Sequence, residues 1–249
     1  HRKLADGESY FLVNRRDHAE TIEARFRITG MVPTLWRAET GRAEALRYRV
    51  ENGETVVPLQ LVAGDAVHIM FRPGNGAAGT ASGAVPNGTS SAIALDGPWT
   101  VSFQQGRGAP AEASMEKLAP LDESKEPGIR YFSGIATYRT TFDSPRGWKS
   151  GQPLTLDLGE AREVAEVLIN GKSAGFAWHA PYRIDVGSLM RRGRNSLEVR
   201  VANLWVNRLI GDAQPGASKL TWTALPTYRA DAPLRRSGLI GPVRLLPEE

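Results

Sequence analysis

Cysteine is absent from the 249 residues. That excludes disulfides and thiolate metal sites, and it leaves the compartment open, since many exported bacterial proteins lack cysteine too. Also missing is any apolar run near the roughly 20 residues that span a bilayer as a helix, so no membrane partner is expected. Histidine is scarce: His1, His18, His68 and His179 lie far apart, none at i, i+4 from another, and no EF-hand loop is present. Charge of one sign is nowhere concentrated. The formal net charge is +4, with 11 Lys and Arg against 10 Asp and Glu in residues 1–72, and 20 against 17 in residues 93–249. A nucleic-acid binder gathers its basic residues on one face or segment. The densest cluster here, Arg191, Arg192 and Arg194, reads as a solvated turn, and no nucleic-acid partner is expected.

What the chain does have is period-2 patterning. Leu154, Leu156 and Leu158 alternate with Thr155 and Asp157, and Leu197, Val199 and Val201 alternate with Glu198 and Arg200. Such spacing puts one face of a strand in a core and the other in water. Between these runs stands Asn170-Gly171, the dipeptide best suited to a two-residue hairpin turn, because both positions need positive φ.

Residues 1–72 read as a small β-sandwich. Short runs at Tyr10 to Val13, Thr21 to Ile28, Ala45 to Val50, Thr55 to Leu61 and Ala66 to Phe71 are bounded by turn signals at Asp6-Gly7, Gly41, Asn52-Gly53 and Gly64-Asp65. Trp36 is expected as a core or edge anchor. Residues 73–91, PGNGAAGTASGAVPNGTSS, carry no charge and no aromatic group and read as a flexible linker; Asn87-Gly88-Thr89 inside it matches a glycosylation sequon. Residues 92–249 form a second β domain. Its first strand sets Trp99, Val101 and Phe103 on one face. Residues 112–130 are expected to be a polar excursion with at most one helical turn, and YFSGIATYRTTF to be a strand. A Pro-rich loop then leads to a last strand near Val243 to Leu245, of the kind that pairs beside the first. The chain begins at His1 rather than Met and shows no signal peptide, so it is expected to be a fragment or processed piece of a longer chain.

Catalytic patterns fail one by one. A glycoside hydrolase needs two carboxylates about 5 to 10 Å apart across the scissile bond. The candidates are Asp157, Glu160, Glu163, Glu166, Asp185 and Asp212, and none has a sequence setting that indicates a cleft. Gly171-Lys172-Ser173-Ala174-Gly175 fits G-x-S-x-G, but the nucleophile elbow needs a strand before the serine and a helix after it. Here a hairpin turn precedes it and Phe-Ala-Trp-His-Ala-Pro follows. A phosphate-binding loop would need glycine where Glu166 stands. No catalytic residue is therefore assigned.

The remaining chemistry is recognition. Aromatic faces stack on the apolar faces of pyranose rings, and Asn, Arg and Asp hydrogen-bond the hydroxyls. Trp178, His179 and Tyr182 crowd one loop, and Asn203, Trp205, Asn207, Arg208 and Asp212 crowd another. These eight are the candidate sugar-binding residues. The competing reading has Trp205 plugging the sandwich end and Arg208 paired with Asp212 to pin the loop. No cofactor is required; a structural calcium bound by backbone carbonyls and one Asp would leave no signature, and stays open.

The segments LDGPWTVSF, YFSGIATYRTTF, LDLGEAREVAEVLINGKSAGFAWHAPYRIDV and NSLEVRVANLWVNRLIGD resemble the galactose-binding-like jelly roll of family 2-type glycosidases. Together with YFLVNRRDH, LWRAETG, VPLQL and VHIMFRP they most resemble the C-terminal part of family 106 α-L-rhamnosidases. The resemblance implies an all-β chain, a small antiparallel β-sandwich followed by a galactose-binding-like jelly-roll β-sandwich. It implies a secreted or periplasmic bacterial location and a non-catalytic accessory role. The partners it implies are the catalytic barrel of the same parent chain and a carbohydrate, either rhamnosides or a polysaccharide. The family's catalytic carboxylates and active-site calcium belong to that barrel, and no position here matches them. A stand-alone carbohydrate-binding module and a purely structural or interaction domain are the alternatives.

Overall fold

The structure, a computed structural model, describes residues 1–38, 41–74 and 92–247. Most of the expected linker, including the sequon at Asn87, lies outside the described residues. The chain forms two compact units, His1–Asn87 and Gly88–Glu249.

The first unit contains β1 (Arg2–Leu4), β2 (Gly7–Val13), β3 (Glu20–Phe26), β4 (Val32–Arg37), β5 (Arg42–Ala45), β6 (Arg49–Glu51), β7 (Glu54–Leu61) and β8 (Ala66–Arg72). These make an antiparallel sheet in the order β1-β2-β8-β4-β5 and a second in the order β3-β7-β6. Val57, Leu59 and Leu61 of β7 pack with Val67, Ile69 and Phe71 of β8 in one core. There Phe71 meets Phe26 and Tyr10 edge-on, at 5.0 and 5.6 Å between ring centroids, a favoured aromatic geometry. The expected single strand from Ala45 to Val50 is instead two. The chain passes from one sheet to the other between β5 and β6, and Leu46 and Tyr48 pack on the core in passing. Trp36 is neither core nor edge anchor. It stands on the exposed side of β4 with the Arg72 guanidinium 5.3 Å over its ring.

The second unit contains β9 (Ile93–Ala94), β10 (Trp99–Phe103), β11 (Glu112–Met115), α1 (Pro127–Arg130), β12 (Ile135–Asp143), β13 (Leu154–Asp157), β14 (Glu160–Arg162), β15 (Val164–Ile169), β16 (Lys172–Ala177), β17 (Arg183–Asp185), β18 (Arg194–Ala202), α2 (Val206–Asp212), β19 (Gly238–Gly241) and β20 (Arg244–Pro247). A six-stranded sheet, β11-β10-β12-β18-β15-β16, accompanies a four-stranded one, β17-β13-β20-β9, and the short pair β14-β19. Strand pairing within them is antiparallel. The inward rows meet in a single core: Trp99, Val101 and Phe103 from β10, Leu154 and Leu156 from β13, Leu197, Val199 and Val201 from β18. This is the all-β sandwich architecture expected from the alternation.

Three expectations need correction. The 112–130 segment is not simply an excursion: β11 pairs with β10, Trp99 opposite Met115 and Ser102 opposite Glu112. The last strand, β20, pairs with β13 and β9, not with the Trp99 strand. Asn203 to Asp212 is not a loop throughout, since α2 occupies its second half.

The hairpin turn is as expected. Asn170 and Gly171 adopt φ of 52° and 80° between β15 and β16, the positive values a two-residue turn needs. Asn170 also donates to Leu189 O at 3.1 Å and to Asn195 Oδ1 at 2.9 Å, tying the turn to the start of β18.

Candidate sugar-contact site

Strands β16 and β18 both pair antiparallel with β15, so they run in the same direction. Their C-terminal ends therefore leave the same end of the six-stranded sheet, two strand spacings or about 10 Å apart. That topology brings the Trp178 loop and the Asn203–Asp212 segment to one edge. Exposed Val164, at the start of β15, lies between them.

The eight candidate residues separate sharply at this edge. Trp178 is 55 % exposed and Trp205 52 %. Trp178 meets His179 edge-on at 4.8 Å, and the imidazole Nδ1 lies 2.9 Å from Ala180 O. The Arg107 guanidinium lies 5.8 Å from the Trp205 ring centre. Tyr182, by contrast, is buried, and burial pushes its hydroxyl pKa up.

The polar members face inward. Asn203 donates to Gly134 O and Val201 O, both at 3.1 Å, and accepts from Gly238 N at 2.6 Å. Asn207 donates to Arg235 O at 2.6 Å and accepts from Arg235 N at 2.8 Å. Arg208 donates through Nε and Nη2 to Asp212 Oδ1, both at 3.0 Å, one helical turn away. The other Asp212 oxygen accepts from Leu220 N at 3.2 Å, from Thr221 N at 2.8 Å and from the Thr221 hydroxyl. Burial alone would raise the Asp212 carboxyl pKa. The Thr221 hydroxyl, the two backbone N–H groups and Arg208 outweigh it, so the pKa lies below its ordinary value. A buried charge needs this degree of pairing.

Helix α2 is thus a fastener. With Gln214, which donates to Ala230 O at 2.9 Å, it holds the irregular segment 214–237 at residues 220–221, 230 and 235. That strap carries Trp222, 83 % exposed, beside a cavity of about 190 Å³. Sequence reasoning did not single out Trp222. The available signal was a lone tryptophan among threonines in a stretch without periodicity.

Asp157, Glu160, Asp185 and Glu166 are engaged elsewhere. Asp157 pairs with Arg183 at 2.8 Å, and Glu160 with Arg162 at 3.1 Å and Arg236 at 3.3 Å. Asp185 accepts from Gly187 N at 3.0 Å. Glu166 joins a ladder across the outer face of the large sheet. Arg139 reaches Glu198 at 2.7 Å, Arg200 reaches Glu198 at 2.7 Å and Glu166 at 3.2 Å, and Ser173 donates to Glu166 at 3.1 Å. Ser173 itself lies on β16 in a strand–turn–strand, not at an elbow. Among the described residues no three His, Asp or Glu side chains gather to hold a metal ion, and no helix is long and apolar enough to cross a membrane.

Residues 1–50 match the profile of the family 106 glycosyl hydrolases, described as alpha-L-rhamnosidase, and residues 120–234 match the glycosyl hydrolase 2 galactose-binding domain-like profile. The structure of a rhamnosidase from Novosphingobium sp. PP1Y is similar to 98 % of the chain, at 53 % identity and a TM-score of 0.86. A protein of Formosa agariphila assigned provisionally as a beta-glucuronidase is 35 % identical over 178 residues, 61 % of the chain. The chain spans 23 % of the Novosphingobium structure and 15 % of the Formosa protein.

Proposed function

We propose that this chain, which belongs with the family 106 α-L-rhamnosidases and carries a glycosyl hydrolase 2-type galactose-binding-like domain, is a non-catalytic accessory portion of an α-L-rhamnosidase-like glycoside hydrolase. It buttresses the catalytic barrel of the longer protein and offers carbohydrate-contacting aromatic groups. The observation that carries this reading is the near-complete match to less than a quarter of a rhamnosidase, at 53 % identity. The engaged state of four of the six candidate carboxylates supports the non-catalytic part. Asp157, Glu160, Glu166 and Asp212 each face an arginine at 3.3 Å or less, where a general acid would need an environment that keeps it protonated. The exposure of Trp178 and Trp205 supports the carbohydrate part. The parent's substrates are taken to be rhamnosides or rhamnose-containing polysaccharides, met outside the cytoplasm in a secreted or periplasmic setting.

The buttressing role is tested on the Novosphingobium rhamnosidase by deleting the region that matches this chain. The expected result is a lower melting temperature for the remaining enzyme, with loss of soluble yield. An unchanged melting temperature and an unchanged turnover rate would sink the supporting role.

A further inference from the structure

Trp222 and Leu225 are the most exposed large apolar side chains of the described residues, 83 % and 76 %. An indole left in water forgoes most of the favourable burial a tryptophan can achieve. Chance exposure of this kind is expected on a loosely held loop, yet the strap is firmly held. Thr221, the residue before Trp222, gives its backbone N–H and its hydroxyl to the buried Asp212 carboxylate, and Leu220 gives its N–H to the same oxygen. The interior ion pair of α2 therefore fixes in place a ring that the interior does not use.

We infer that Trp222 is a stacking platform for a single pyranose ring. The inference deepens the proposed carbohydrate contact and rests on it. Beside the indole lies the cavity of about 190 Å³, lined in part by Lys219, Thr223, Thr227 and Tyr228. This is below the roughly 300–1,000 Å³ of pockets for drug-sized ligands, which suits one ring rather than an oligosaccharide. Lys219 Nζ, the Thr223 hydroxyl and the Tyr228 hydroxyl make no hydrogen bond to the described residues, so they are available to sugar hydroxyls. A pyranoside needs this combination, an apolar face for its C–H groups and polar groups around its rim. On the strap Thr221, Thr223 and Thr227 are interleaved with the exposed Leu220, Trp222 and Leu225, so polar and apolar groups alternate around the ring. The site is distinct from the Trp178 and Trp205 edge read from the sequence.

The test is a titration of the 249-residue chain with methyl α-L-rhamnopyranoside, followed by calorimetry and tryptophan fluorescence. The wild-type chain is expected to saturate in the millimolar range. Trp222→Ala is expected to weaken binding about tenfold or more, equivalent to about 1.4 kcal/mol, with an unchanged melting temperature. Trp222→Phe should keep part of the affinity, and Phe11→Ala, at an exposed apolar residue of the first unit, should bind as wild type. If Trp222→Ala binds as wild type while Trp178→Ala or Trp205→Ala does not, this inference falls and the carbohydrate contact stands. If the wild-type chain shows no saturation up to about 100 mM, both fall. A melting temperature lowered by several degrees in Trp222→Ala would show the ring to be packed, and would also overturn the inference.

Discussion

Asp212→Ala lowers the stability of the second unit by about 3–5 kcal/mol, the cost of breaking a buried ion pair by removing one partner. Both side chains are nearly inaccessible, so the variant leaves the Arg208 guanidinium buried without its carboxylate. It also orphans the N–H groups of Leu220 and Thr221, which then have to find water. The effect has a pH signature. The folded-state pKa of Asp212 is depressed, because the Thr221 hydroxyl, the backbone donors and Arg208 outweigh the opposing effect of burial. A depressed carboxyl contributes its stability fully above its unfolded value, about 3.9, and loses it as pH falls through the folded value. The gap between wild type and Asp212→Ala is therefore widest near neutrality and narrows below about pH 4. Denaturant unfolding at pH 7 and pH 3 checks both points. A loss under about 1 kcal/mol at pH 7 would mean that the pair is solvated and that α2 does not fasten the strap.

Trp99→Ala is the second large effect, also about 3–5 kcal/mol. Trp99 is 1 % exposed and opens the first strand of the large sheet, opposite Met115 and inside the core built from β10, β13 and β18. Truncation removes a fully buried indole and leaves a cavity that β12 cannot close, since β12 is pinned on its other side by the long ladder to β18. The contrast with Trp222→Ala is diagnostic. An exposed surface substitution stays within about 0.5 kcal/mol, so two tryptophans of one unit are expected to differ in cost by several-fold. Equal costs for the two variants would contradict their placement.

The sheet was the legible part of this molecule. The alternating leucines of β13 and the Leu197, Val199 and Val201 row of β18 are all at or near zero exposure, because burial on one face is what period 2 encodes. Asn170-Gly171 was legible for a backbone reason, since positive φ at both positions narrows the choice of residues. β11 was not legible. It is an edge strand of Glu112, Ala113, Ser114 and Met115, half exposed, and its pairing comes from β10 rather than from its own pattern. α2 was hidden for a related reason: seven residues are too few to show a helical period, and its polar groups resembled a binding loop. The Arg208 and Asp212 spacing of i, i+4 was visible, and the pinning it suggested is what the structure contains. Trp222 gave only a weak signal in the sequence. Whether a tryptophan in an irregular segment is core or display depends on what the segment is fastened to, and that fastening is made by Asn207, Asp212 and Gln214.

The division between support and chemistry is measured most directly by incubating the purified 249-residue chain with 4-nitrophenyl α-L-rhamnopyranoside. Nitrophenol release is expected at the rate of the buffer blank, unchanged in Asp157→Asn and Glu166→Gln. Release above the blank that either substitution abolishes would contradict that division and place a catalytic carboxylate in this chain.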